Sequence, residues 1–110
     1  MQVQLRTDNH IEGHDELARY VETVVGTALE RFDRITRVEA HLGDASSPAK
    51  AGDADIRCML EAHVAGLPPV AVTHQAATVH EAVRGSAAKL RHAVDSVLDR
   101  HADRMRSGGT

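Results

Sequence analysis

"ITRVEAHL", residues 35–42, alternates its side chains: Val38, Ala40 and Leu42 fall on one side, Arg37, Glu39 and His41 on the other. A period of two is the pattern of a strand with one buried and one wet face. Toward the N-terminus the period changes. Leu17, Val21, Val24, Val25, Ala28, Leu29 and Phe32 recur at the spacing of a helix buried along one side, which predicts a helix over 15–32. Asp15 and Glu16 suit its first turn, where they meet the positive end of the helix dipole. Gly26 costs this helix about 1 kcal/mol relative to alanine. Before it, "QVQLRT" (2–7) alternates again and stops at the turn-forming Asp8-Asn9, which marks a first strand.

Toward the C-terminus, "GDASSPAKAGD" (43–53) is the longest loop signal in the chain and is expected to be a mobile hairpin connection. "ADIRCMLEAHVAG" (54–66) sets Ile56, Cys58, Leu60, Ala62 and Val64 against Arg57, Met59, Glu61 and His63, a third strand. After a turn at Gly66-Leu67-Pro68-Pro69, "VAVTH" (70–74) supplies a fourth. From Thr78 to about Met105 the helical period returns through Val79, Val83, Ala87, Leu90, Val94, Val97 and Leu98. The order is β-α-β-β-β-α, with no internal repeat and no linker. It predicts an α+β two-layer sandwich: a four-stranded, mostly antiparallel sheet with two helices on one face. Residues 1–105 are expected to form this single domain and 106–110 a disordered tail.

Composition narrows the function. In 110 residues, 42% are hydrophobic and 26% charged, the balance of a soluble globular domain. One Tyr and one Phe leave little for stacking bases on an aromatic platform. The net charge of −3 is unevenly spread: residues 1–77 hold seven Lys/Arg against twelve Asp/Glu, and residues 78–110 six against four. Any surface for a polyanion therefore belongs to the last third. The single cysteine, Cys58, excludes an intramolecular disulfide and a cysteine-rich zinc site, and its place on the apolar side of a strand suits a buried, inert thiol. With no apolar signal run and no stretch approaching ~18 apolar residues, a cytoplasmic protein with no membrane partner is expected.

Enzyme signatures are missing: there is no GxSxG, no phosphate-binding glycine loop and no GxGxxG, so no catalytic residue, cofactor or small-molecule substrate is assigned. Eight histidines raise the question of metal. His10 and His14 are four apart in a doubtful helix, and His41, His63 and His74 come from three strands and converge only if register allows. No HExxH or CxxC supports a closed site, and no metal ligand is assigned. The last helix remains. At 100° per residue, Lys89, His92, Ser96 and Arg100 share an arc of about 80° away from the apolar side, with Gly85 on the same line, open to close backbone approach. This stripe reads either as an anion-binding surface or as an ordinary solvated face, since Asp95, Asp99 and Asp103 border or join it.

"TDNHIEGHDELARYVETVVGTALERFDRITRVEAHL" (7–42) resembles the N-terminal half of the short ribosome hibernation-promoting factor and ribosome-associated inhibitor family. The matching features are Thr7 and Asn9 ending the first strand, Leu17 with Tyr20-Val21, Phe32-Asp33-Arg34-Ile35, and the alternation to Leu42. "HEAVRGSAAKLRHAV" (80–94) looks like the family's second helix. The resemblance implies binding to the small ribosomal subunit and its rRNA through basic helix residues. Lys89 matches directly, His92 stands where arginine is usual, and Ser96 and Arg100 stand where lysines are usual. The same four positions form the helical stripe. Val24 and Thr27 replace lysines common in the first helix, which implies weaker binding and a shallower salt dependence. The chain lacks the C-terminal dimerisation domain of the long members, so pairing of ribosomes through it is not expected. The expected function is a translation-inhibiting hibernation factor; the alternative is a protein-interaction or regulatory domain of the same fold without RNA binding.

Overall fold

The computed structural model describes residues 1–8, 14–44 and 56–108. Within them run β1 (Gln2–Thr7), α1 (His14–Leu29), β2 (Ile35–Asp44), β3 (Ile56–Val64), β4 (Val70–Ala76) and α2 (Val79–Gly108), the expected β-α-β-β-β-α order. The sheet order is β1-β2-β3-β4. β1 lies parallel to β2, as a strand pair joined by a helical crossover must, while β2-β3 and β3-β4 are antiparallel. Residues 45–53 of the expected hairpin loop lie outside the described residues.

Alternation decides which side of the sheet is covered. Val38, Ala40, Leu42, Cys58, Leu60, Ala62 and Val64 are buried on the helix side, and the intervening positions of β2 and β3 face solvent or are half-buried. α1 brings Leu17, Val21, Val25 and Leu29 to that side, and α2 brings Ala82, Val83, Ala87, Leu90 and Val94. α2 packs mainly on β4 and β3, and α1 against β1 and α2. Fully burying a Leu or Val side chain stabilises by roughly 1.5–3 kcal/mol, so these residues hold the two layers together.

Several boundaries differ from the sequence reading, β4 among them, which runs to Ala76 instead of His74. β2 continues through Gly43 and Asp44, because Gly43 pairs with Arg57 and Asp44 with Ile56 in the β3 ladder. The loop-like composition of Gly43-Asp44 is overridden by that pairing. α1 ends at Leu29 instead of Phe32: the Phe32 amide donates to the Leu29 carbonyl at 3.0 Å, closing a turn into β2. α2 runs to Gly108, three residues past its expected end.

Candidate nucleic-acid interface

α2 starts where its sequence can cap it. The Thr78 hydroxyl accepts from the Glu81 amide at 3.1 Å, the N-cap bond, and donates to the Glu81 carboxylate at 3.1 Å. Gly85 and Lys89, on one flank, lie over the outer strand of the sheet. Lys89 Nζ donates to the Thr73 carbonyl at 3.0 Å, on β4, which among the described residues is an edge strand of the sheet. The open backbone expected at Gly85 is filled: a Cβ there would overlap Cδ2 and Nε2 of His74 and lie 2.8 Å from its Cγ. The close approach that glycine permits at this point is made by β4.

His92, Ser96 and Arg100 are exposed, as is Lys89. At 1.5 Å per residue the 30-residue α2 is about 45 Å long, whereas the 10-residue β2 spans only about 33 Å. Among the described residues its last fully buried one is Val94, so the turns that carry Arg100 and Arg104 extend past the core.

The opposite flank of α2 faces α1 and carries cations outside the predicted stripe. Arg84 and Arg91, two turns apart, line an open groove of about 390 Å³ with Thr23, Val24, Thr27 and Ala28 of α1. At the end of this groove Arg31 pairs with Asp95 at 2.9 Å and stacks on the Phe32 ring, 4.8 Å from its centroid. Asp95 is thus partnered on the α1 side. At the other end the Tyr20 and His80 rings meet edge-on with centroids 4.3 Å apart. Among the described residues, Arg84, Lys89, Arg91 and Arg100 form no ion pair within 4.0 Å. Their spacing of seven places Arg84 and Arg91 on one face of a helix, but only the position of α1 shows which flank that is.

The three strand histidines do not converge. His74 lies on the helix side against Gly85. His41 and His63 are on the open side, where His41 pairs in register with Met59 and His63 with Arg37. His41 Nε2 is 3.3 Å from an Asp8 carboxylate oxygen. His63 belongs to a separate cluster with Arg37, Glu39 and Glu61. The hydrogen bond from His63, then the neighbouring Arg37 guanidinium, holds the Glu39 carboxyl below its ordinary value despite partial desolvation. His10 lies outside the described residues. Cys58 is fully buried, 3.0 Å from the Ser86 hydroxyl, and burial pushes its thiol pKa upward, which favours the protonated form.

Residues 4–106 match the family described as sigma 54 modulation protein / S30EA ribosomal protein. The chain belongs to the S30EA family. The fold of this S30EA chain is shared by solved structures of low sequence identity. The N-terminal domain of Protein Y from Thermus thermophilus superposes with a TM-score of 0.66 at 18% identity, over 84% of this chain and 93% of that one. A ribosomal subunit interface protein from Coxiella burnetii gives 0.65 at 11% identity, over 90% and 99%. No curated protein matches the sequence. Among the described residues no helix is long and apolar enough to cross a membrane.

Proposed function

We propose that this S30EA-family chain is a cytoplasmic, ribosome-associated factor that represses translation under stress by occupancy, laying α2 against small-subunit rRNA. The observation that carries the reading is family membership over residues 4–106. The form of α2 supports it: the helix extends past the core and presents Lys89, His92, Ser96 and Arg100 on an exposed flank. Arg84 and Arg91 add cations on the side facing α1. Phosphate contacts through lysine and arginine require no chemistry from the protein, so the action is steric. The surface is less opposed by acids than the sequence implied, because Asp95 is engaged by Arg31.

The acidic first 77 residues favour a second reading, a regulatory domain of the same fold that binds a protein instead of RNA. Co-sedimentation with small subunits at low and moderate salt separates the two. We expect binding that weakens with salt, and a loss of at least about tenfold in the Lys89→Glu/Arg100→Glu variant, since each phosphate contact removed lowers the electrostatic component. The melting temperature should move little because both side chains are exposed and the one hydrogen bond lost, from Lys89 to the Thr73 carbonyl, is itself at the surface. Absence from the ribosomal fraction even at low salt would leave the second reading standing. Undiminished binding by the double variant would make the stripe a solvated face.

A further inference from the structure

The open face of the sheet, opposite the helices, carries a cluster outside the α2 surface proposed for RNA. In the β2-β3 register Glu39 stands directly across from Glu61, and Arg37 directly across from His63. Like charges opposite one another on a sheet are unfavourable unless a cation lies between them. His63 Nε2 reaches both acids, 2.7 Å from Glu39 Oε2 and 3.1 Å from Glu61 Oε1. One ligand atom from each of the three residues lies within 4.8 Å of the others. All three side chains are half-buried, so their rotamers are already restricted.

We propose that Glu39, Glu61 and His63 form a binding site for a first-row divalent cation of the zinc class. The case begins with the imidazole. As an N–H donor, Nε2 can serve the two carboxylates but then meets an Arg37 guanidinium nitrogen at 3.3 Å, donor against donor. As a bare nitrogen it accepts from Arg37 and faces two carboxylate oxygens, acceptor against acceptors. Neither protonation state satisfies every neighbour, whereas a divalent cation accepts lone pairs from all three groups at once.

The spacing is also suitable. Bonds of about 2.1 Å to nitrogen and oxygen at tetrahedral angles separate the ligand atoms by about 3.4 Å, so small side-chain rotations that open the 2.7 and 3.1 Å His63 contacts fit the three atoms around one ion. One imidazole and two carboxylates favour zinc, cobalt or manganese over calcium and magnesium, which take oxygen ligands, and the lack of thiolate disfavours copper(I). Beyond the Glu39-Glu61 row lies a hollow of about 100 Å³ lined by Arg6, His41 and Met59, so the carboxylates are open to solvent on that side. Arg37 is the resident competitor. Its guanidinium lies 3.1 Å from Glu39 Oε2 and must swing away for the metal to enter.

The test uses the full chain purified without an affinity tag and titrated with ZnCl2 by calorimetry, with Co2+ as an absorbing surrogate. One equivalent should bind and raise the melting temperature. His63→Gln and Glu61→Gln should each lose at least about tenfold in affinity and the thermal shift. Arg37→Gln should gain a few-fold, because a positive charge beside a ligand oxygen is removed. Melting the metal-free variants shows whether each folds; should His63→Gln not fold, Glu61→Gln, at the more accessible of the two positions, decides. Failure of the wild type to bind, or undiminished binding by the folded variants, which would place the metal on the other histidines, overturns the proposal. Ribosome sedimentation without added metal is a separate measurement, and neither result decides the other.

Discussion

Substituting alanine for two helical glycines, Gly26 in α1 and Gly85 in α2, should change stability in opposite directions. A helix-interior glycine costs about 1 kcal/mol relative to alanine, so on propensity alone both changes stabilise. At Gly26 nothing lies within 4 Å of an added Cβ, and that gain should appear in full, raising the melting temperature by about 4 °C. At Gly85 the added Cβ overlaps the His74 ring and lies 2.8 Å from Cγ. Rotation of the ring about χ2 gives no relief, because the clash includes the atom on that axis. Either the ring leaves its half-buried place or α2 lifts off β4. Overpacking of this kind costs about 1–3 kcal/mol, so the net effect should be a loss of about 1 kcal/mol and a melting temperature about 4 °C lower. Thermal and urea unfolding of the two single variants would measure this, together with the Gly85→Ala/His74→Ala double variant, which should recover most of the loss. If Gly85→Ala stabilises as much as Gly26→Ala, His74 does not hold α2 to the sheet edge, and the orientation assigned to the Lys89 flank fails with it.

Two further outcomes follow from the helix cap and the open sheet face. Thr78→Ala removes the hydroxyl that accepts from the Glu81 amide and should cost about 1 kcal/mol; urea unfolding would detect it, and an unchanged midpoint would mean the cap is formed by another group. Because the folded state holds the Glu39 carboxyl below its usual value of about 4.3, ionised Glu39 contributes stability that is present above that pH and is lost as the pH falls through the lower, folded value. The melting-temperature advantage of the wild type over Glu39→Gln should therefore shrink between pH 6 and pH 3. A gap that stays constant would show that the cluster does not favour the carboxylate.

Much of this was legible along the chain because the signals are local. A period of two marked the core side of β2 and β3, from Val38 to Leu42 and from Cys58 to Val64, and a period of 3.6 marked the buried line of both helices. Those patterns follow from where successive side chains point on a strand or a helix, whatever the rest of the chain does. The element order, the charge of the last third and the exposure of Lys89, His92, Ser96 and Arg100 were within reach of the same reasoning. Only the tertiary structure decided which segments meet. It tied Lys89 to the Thr73 carbonyl, filled the space at Gly85 with His74, turned Arg84 and Arg91 toward α1, and paired Asp95 with Arg31. On the open face, the β2-β3 register set Glu39 across from Glu61 with His63 between their carboxylates; a shift of one residue would have moved these side chains to the other face of the sheet. Register and helix docking depend on contacts between segments distant in sequence, and periodicity within one segment carries no information about its partner.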